Sequence, residues 1–330
     1  MTRSMKKKDK RTIVLIMLTW AILLNLLIPI GYAEEEQIQI ICTNSILADF
    51  TSNILTDNCT IEYIMPAGVC PAHFDTVPSD VLKIVNADII ISLGWEPWLE
   101  SLLNKSGNTE YTEIKCLGLG EWNIPSGALS HIKTISDGLK TALPEKSAII
   151  QQNTKQYMEK INATALTLQN QIEILNLTNR KIVSMEWQKD FLEWLGLNIT
   201  YYYSPPEGLS VQDEIDVITA ASQDDVAAVV DNLQSGTDFG ARVAGESGVS
   251  HVIFSNFPKA VPNTDTYLDM ISYNTNQLIK GITSHDYTDQ QTIELQNQFE
   301  SMTLQRNTLA VTTIIAVLIC AILFIMYKKK

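Results

Sequence analysis

A stretch of thirty-one residues without Gly or Pro, Glu145–Leu175, constrains the fold of this chain more than any other part of its sequence. A helix of this length would measure about 45 Å, at 1.5 Å per residue. Its apolar side chains recur at steps of three or four residues, which is typical of a helix that buries one face. They are Tyr157, Ile161, Ala165, Leu168, Ile172 and Leu175. We predict a connecting helix over residues 144–176, because the patterns of a globular protein continue on both sides and argue against a coiled-coil stalk.

Both flanks of this helix alternate short apolar runs with helical patterns. Before it, over residues 37–143, the runs are IQIIC, TIEYIM, DIIIS and YTEIKCL. After it, over residues 180–284, they are KIVS, NITYYY, AAVVD and HVIFS. Alternation of strand and helix in this way predicts parallel sheets. The predicted fold class is therefore α/β, with two Rossmann-like lobes joined by one long connecting helix.

The two ends of the chain carry long apolar runs next to basic residues. Residues 1–33 begin with a basic segment, so they are predicted to be a signal peptide or an N-terminal anchor. Residues 309–327 are apolar almost throughout and precede three lysines, which predicts a transmembrane helix rather than a buried core helix. An amphipathic spacer helix is predicted over residues 285–307. Because lysine-rich ends stay in the cytoplasm, we expect the globular part outside it, held to the cell membrane by the C-terminal span.

The part of the chain predicted to be exported is strongly acidic. The whole chain carries a net charge of −13, and because the first eleven residues carry +5 and the last three +3, the rest carries −21. Such a surface argues against nucleic acid as a partner and attracts cations, although adaptation to a salty medium would give the same charge. The sequence contains four histidines and no Walker A, Gly-x-Ser-x-Gly or His-Glu-x-x-His motif. We therefore predict neither enzyme activity nor an organic cofactor.

Four of the five cysteines belong to the exported part. Cys42 and Cys116 end predicted strands and Cys70 follows one, so we expect these three at one edge of a sheet. Cys59 precedes a strand and should lie at the opposite edge, which argues against a disulfide between Cys42 and Cys59. For Cys70 two roles stay open in an oxidising compartment, a disulfide with Cys116 or a ligand to a bound ion.

The loop after the second predicted strand holds two side chains that bind metals. Cys70 and His73 lie three residues apart in a proline-rich turn. A thiolate with an imidazole suits zinc or another borderline-to-soft cation. One such pair is half a site, and the alternative is a stiff loop in which His73 bonds a backbone carbonyl. Ser79 is predicted to cap the helix Val81–Asn86 that follows.

A longer series of motifs runs through the chain in a fixed order. They are Pro66-Ala67-Gly68-Val69, Pro71, Phe74, Asp75, Pro78-Ser79-Asp80, Ala87-Asp88, Glu96-Pro97-Trp98-Leu99, Leu195-Gly196-Leu197 and the stretch Asp265–Asn274. In this order and spacing, roughly residues 38–282 resemble the metal-specific substrate-binding proteins of ABC importers, cluster A-I, which carry zinc, manganese or iron.

The resemblance implies a function and a set of partners. It implies an extracytoplasmic protein, expected to be monomeric, that captures a divalent metal ion in the cleft between its lobes. The ion, zinc or manganese in the first place, would be a transported ligand and would pass to an ABC permease with its ATPase. A rigid connecting helix would permit only modest closure, so release would come from small loop movements on docking.

The resemblance also implies positions for the metal ligands, and this chain departs from them. The first His of the family aligns with Ala72, which is the neighbour of His73. The second aligns with Gly120, which has no donor, and the third with Met185, the neighbour of Glu186. Only the fourth ligand position, an acid in the family, is retained unchanged, as Asp265. The predicted ligands are His73, Asp265, Glu186 and Cys70.

Two other functions remain open on the same scaffold. The cleft would suit a metal chelate or a small organic ligand if the tryptophans near predicted strand ends line it, and packing between the lobes is their alternative role, favoured for Trp98. These tryptophans are Trp95, Trp98, Trp122 and Trp187. The third function is that of a surface interaction protein without a ligand.

Overall fold

The computed structural model describes Met17, Thr19 and Trp20, residues 37–118 and residues 120–328. Within the last range, the side chains of residues 314 and 316–328 are outside the described part. The predicted signal peptide or anchor, residues 1–33, lies outside it except for the three residues named first. The chain from Ile38 onwards forms one compact unit.

The N-terminal lobe is a parallel sheet of four strands in the order β2-β1-β3-β4, connected by helices. Its elements are β1 (Ile38–Cys42), α1 (Ser45–Ile54), β2 (Cys59–Tyr63), α2 (Pro78–Val85), β3 (Ile89–Ser92), α3 (Leu99–Ser106), β4 (Thr112–Lys115) and α4 (Pro125–Ala142). The run of isoleucines in β3 is buried along its whole length. Such runs are typical of parallel strands because helices cover both faces of the sheet.

The C-terminal lobe repeats this arrangement, with strand order β6-β5-β7-β8 and parallel pairing throughout. Its elements are β5 (Lys181–Met185), α6 (Glu186–Trp194), β6 (Asn198–Tyr203), α7 (Val211–Ala221), β7 (Val226–Asn232), α8 (Asp238–Ser247) and β8 (Ser250–Phe254). Between the lobes runs α5, Ser147–Ile174, which buries the expected apolar face except for Leu175, an exposed residue that follows the end of the helix. The prediction of two parallel α/β lobes and a long connecting helix is confirmed.

One cluster of buried apolar side chains extends through both lobes. It includes Phe50 of α1, Ile161 of α5 and Phe254 of β8, all with no exposed surface. A smaller cluster lies on the other face of the C-terminal sheet, around Val229 and Val243. Because the larger cluster is continuous, the lobes share much of the apolar burial that stabilises the fold.

The last helix, α9, runs from Tyr267 to Lys328 without a break. It contains the predicted spacer at residues 285–307 and the predicted transmembrane helix at residues 309–327. In the described part of the chain, no helix is both long and apolar enough to cross a membrane. The predicted C-terminal span is therefore not found there, and most of its side chains lie outside the described residues.

One local prediction is wrong, the start and cap of helix α2. Helix α2 begins at Pro78 rather than Val81, because proline suits the first helical position, where its missing N–H needs no partner. Its N-terminus is closed by Asp80, whose Oδ2 accepts a hydrogen bond from the Val77 backbone N–H at 2.9 Å, so Ser79 is not the cap. Of the two roles left open for Cys70, the disulfide with Cys116 is not formed, since the four described cysteines are all free.

Candidate ligand-binding cleft

Loops from both lobes meet around one cavity of about 110 Å³. The N-terminal lobe contributes residues that follow β2, β3 and β4: Cys70, Pro71, Ala72, Trp95, Gly120 and Trp122. The C-terminal lobe contributes residues at or after the ends of β5, β7 and β8: Trp187, Asn232, Gln234, Ser235, Asn256 and Phe257. Open α/β sheets bind ligands outside the carboxyl ends of their strands, and this cavity lies at that place for two sheets at once.

The inner wall of the cavity is a pair of buried rings, one from each lobe. Trp122 and Phe257 are each 1% exposed, and their ring centroids lie 5.5 Å apart. Trp122 also donates its indole N–H to the Asn256 backbone oxygen at 2.8 Å. The wall is therefore a contact between lobes as well as a lining of the cavity.

The turn Glu121–Asn123, a single 3₁₀ turn, places Trp122 in this wall. It is preceded by Gly120 with φ of 87°, a left-handed conformation that glycine adopts without strain. Gly127 in the first turn of α4 packs against it so closely that an added Cβ would lie 1.9 Å from the Glu121 carbonyl oxygen. These two glycines permit the tight turn that places Trp122 in the wall of the cavity.

Three amide side chains of the C-terminal lobe form a connected network along the cavity. The Gln234 side chain donates to the Ala67 backbone oxygen at 2.9 Å and accepts from the Asn256 N–H at 3.1 Å. Asn256 Oδ1 accepts from Gln188 Nε2 at 2.7 Å, and Asn232 Oδ1 accepts from the Gln234 N–H at 2.7 Å. Each of the three amide oxygens already has a protein donor.

Four hydrogen bonds connect the two lobes directly around the cleft. Besides the bonds from Trp122 and Gln234, Asn123 Nδ2 donates to the Trp187 carbonyl at 3.1 Å, and Ser45 Oγ donates to the Pro258 carbonyl at 2.8 Å. Each of these bonds joins a side chain on one lobe to a backbone oxygen on the other. The lobes are thus held together by groups of the protein itself.

The structure does not gather the four predicted ligands around one point, although Cys70 and His73 lie in one turn, where the His73 N–H donates to the Cys70 carbonyl at 3.1 Å. His73 and Asp265 are exposed and line no part of the cavity, and Glu186 is half-buried, with its carboxylate 3.2 Å from Ser204 Oγ. Cys70 alone lines the cavity. Across the described residues, no three His, Cys, Asp or Glu side chains lie where they could hold one ion. The ligand set stays a prediction, and it requires these loops to move before its members share an ion.

Sequence reasoning missed the amides Asn232, Gln234 and Asn256. The signal that identifies them is their place in the chain: Asn232 is the last residue of β7, and Asn256 follows β8 by two residues. Their position after predicted strands had already indicated Cys70 and three of the four tryptophans as residues of the cleft. The fourth, Trp98, packs instead against Phe74 within its own lobe, with ring centroids 5.0 Å apart.

The buried titratable groups near the cleft have structural partners. His131 of α4 packs against Trp122, and burial lowers the pKa of its imidazole, which favours the neutral ring. Deeper in the C-terminal lobe, Asp231 accepts from the Tyr203 hydroxyl at 2.5 Å and lies 2.7 Å from His251 Nε2. Burial of the Tyr203 hydroxyl raises its pKa far above the usual range. None of these groups lines the cavity.

This architecture defines a class of protein: a two-lobed α/β binding protein with a ligand cleft between its lobes. The family described as "Zinc-uptake complex component A periplasmic" matches residues 40–281, and the chain belongs to that family.

The chain is similar in sequence to named proteins and in fold to solved structures. The manganese-binding lipoprotein MntA of Halalkalibacterium halodurans is 25% identical over 275 residues, covering 76% of this chain and 91% of MntA. The iron ABC transporter substrate-binding lipoprotein MtsA of Streptococcus pyogenes is 24% identical, covering 76% and 90%. Among solved structures, a periplasmic metal-binding protein from Candidatus Liberibacter asiaticus superposes with a TM-score of 0.62 at 21% identity, over 74% of this chain and 98% of its own.

Proposed function

We propose that this chain is the extracytoplasmic substrate-binding component of an ABC importer, and that its cargo is a divalent metal ion. Membership of the zinc-uptake family over residues 40–281 carries the proposal. Relatives named for manganese and iron support it, and they do not agree on one ion. In this role the protein works with a membrane permease and its ATPase, and the interlobe cleft is where the cargo binds.

Elemental analysis of the purified full chain tests the metal cargo directly. We expect about one equivalent of zinc, manganese or iron, retained after desalting. His73→Ala and Asp265→Ala should each lower the bound metal if these residues are ligands, whereas Asp224→Asn, which changes an exposed carboxylate, should not. Metal-free protein that fails to take up any of the three ions would contradict the proposal.

The lining of the cavity favours a second candidate, a receptor of the same scaffold for a small organic ligand or a metal chelate. Four aromatic rings line the cavity, and none of its described lining residues is His, Asp or Glu. A chelate brings its own ligands to the ion, so its receptor needs shape and aromatic surface rather than donors. Thermal stabilisation by a chelate, with no response to free ions, would favour this candidate over the first.

We also propose that the protein is attached to a membrane at its outer face. The relatives named above are lipoproteins, and in this chain the apolar residues 309–327 would take the place of a lipid. The experiment is extraction of membranes with alkaline carbonate: the full chain should stay in the membrane pellet, and a chain ending at residue 307 should be released. Release of both would remove this segment as the anchor.

A further inference from the structure

The last helix, α9, leaves the C-terminal lobe at the edge opposite the cleft. The Asn274 side chain accepts from the Ser255 N–H at 2.9 Å and donates to the Ser255 oxygen at 2.8 Å, and Ser255 directly follows the cleft end of β8. Two turns later, the Gly281 oxygen accepts at 2.7 Å from the hydroxyl of Ser250, the first residue of β8. Helix α9 therefore runs antiparallel to β8 and away from the cavity.

An ion pair fixes the direction of α9 where it leaves the lobe. Arg180, the residue before β5, donates two hydrogen bonds to the Asp286 carboxylate, at 2.8 and 2.6 Å. Bidentate pairs of this kind fix orientation as well as adding stability. Beyond Asp286 the helix is surrounded by solvent, since all side chains from Tyr287 to Thr313 are exposed except Thr303, which is half-buried.

This direction conflicts with the proposed anchor at residues 309–327. The spacer from residue 287 to residue 308 measures about 33 Å, at 1.5 Å per residue. A straight helix would hold the C-terminal lobe at that distance from the bilayer, with the cavity on the side that faces away from it. A permease lies in the same bilayer, so the cleft must turn toward the membrane before cargo can pass.

We propose that residues 287–308 form a joint, in which the helix opens and lets the globular part turn its cleft toward a permease in the same membrane. This inference rests on the proposed function, because it takes a permease as the partner and residues 309–327 as the anchor. The joint is assigned to these residues because they are the part of α9 between the lobe and the anchor.

The spacer has little to keep it helical. Most helix stability in proteins comes from packing of an apolar face, and an isolated helix of this length is marginal in water. Thr292 and Thr308 donate their hydroxyls to backbone oxygens four residues earlier, at 2.9 and 2.8 Å. Such bonds weaken and bend helices. Asn297, Thr303 and Asn307 also have low helix propensity, so opening this segment costs little.

Hydrogen exchange of the full chain in phospholipid vesicles, followed by peptide mass spectrometry, tests the joint without any cargo. Residues 267–282 of the same helix are the internal control, because Met270, Ile271 and Ile282 have no exposed surface. We expect the amides of residues 287–308 to exchange at least a hundredfold faster than those of the control. Equal protection of the two parts would show a rigid helix and overturn the proposal.

Two chains with replaced spacers test whether transport needs the joint. One carries Glu-Ala-Ala-Ala-Lys repeats over residues 287–308, which form a stiff helix, and the other carries a flexible Gly-Ser repeat of the same length. In cells that also contain the permease, the stiff spacer should lower uptake of Mn²⁺ or Zn²⁺ at least tenfold. The flexible spacer should keep uptake within about twofold of the unchanged chain, because it permits the turn. Equal uptake with both spacers would refute the joint.

Bound metal and membrane retention, measured on the same three chains, keep this inference distinct from the proposed function. All three chains should hold the same amount of metal and stay in the carbonate-washed membrane pellet. Import that is independent of the spacer refutes the joint and leaves the importer role standing. If the unchanged chain imports neither ion, the importer role fails, and the exchange rates alone decide on the joint. Release of the unchanged chain from the membrane removes the anchor and the joint together.

Discussion

At the scale of single residues, one buried carboxylate joins three parts of the fold. Asp49 of α1 accepts from the Tyr157 hydroxyl of α5 at 2.8 Å and from the Tyr267 N–H at the start of α9 at 3.1 Å. One side chain thus connects the N-terminal lobe, the connecting helix and the last helix. Burial raises the pKa of Asp49, although both hydrogen bonds act to lower it.

This raised pKa predicts a falling stability as pH rises. Between the unfolded pKa of about 3.9 and the raised folded pKa, the folded state keeps a proton that the unfolded state has lost. The free energy of unfolding should therefore decrease as pH rises through that window. Asp49→Asn removes the ionisable group and keeps an acceptor oxygen, so urea unfolding across pH 4–7 should show a flatter dependence. The exposed Asp224→Asn is the control, and an unchanged slope in Asp49→Asn would contradict this account.

A second prediction at this scale concerns cysteine reactivity. Burial raises the pKa of Cys42 and Cys116 to about 12, so their thiolates are scarce at neutral pH. Cys70 is half-buried and lines the cavity. Brief treatment of the native protein with iodoacetamide, followed by peptide mass spectrometry, should label Cys70 well before these two. Labelling of Cys42 or Cys116 at the rate of Cys70 would contradict the burial of their thiols.

At the scale of elements, the sequence predicted strands and helices better than it predicted the site. Strands β1 and β6 begin and end at their predicted residues, and helix α5 begins three residues after and ends two residues before its predicted ends, because apolar periodicity and Gly or Pro breaks mark such elements directly. The ligand residues lie in loops, where no periodicity says which way a side chain points. Asp265 matched a motif in order and spacing, and His73 lies one residue from its motif position. Both are exposed to solvent and neither lines the cavity, so their role as ligands stays a prediction.

The packing of α4 against the turn Glu121–Asn123 gives a prediction at the element scale. Gly127→Ala would place a Cβ 1.9 Å from the Glu121 oxygen, so the turn must shift and carry Trp122 with it. Overpacking of this kind costs about 1–3 kcal/mol. The control is Gly245→Ala in α8, where an added Cβ meets nothing within 4 Å and helix propensity favours alanine. Thermal unfolding that gives equal melting temperatures for the two variants would refute the close contact.

At the scale of the whole molecule, the continuous apolar cluster predicts how the protein unfolds. Phe50, Ile161 and Phe254 belong to one cluster that crosses both lobes, so neither lobe can open without exposing part of the other. We expect one cooperative transition, with equal calorimetric and van't Hoff enthalpies. Two separate transitions, or unequal enthalpies, would show that the lobes are independent.

The hydrogen bonds between the lobes have a consequence for how the protein docks on its transporter. The lobes are held together by hydrogen bonds from side chains to backbone oxygens of the protein, those of Trp122, Asn123, Gln234 and Ser45. The protein without cargo should therefore have nearly the same shape as the protein with cargo bound. A transporter that recognises this shape would bind both forms, so unloaded copies of the protein would occupy its docking site. Uptake should then rise with the amount of carrier, reach a maximum, and fall once idle copies outnumber the cargo available to them.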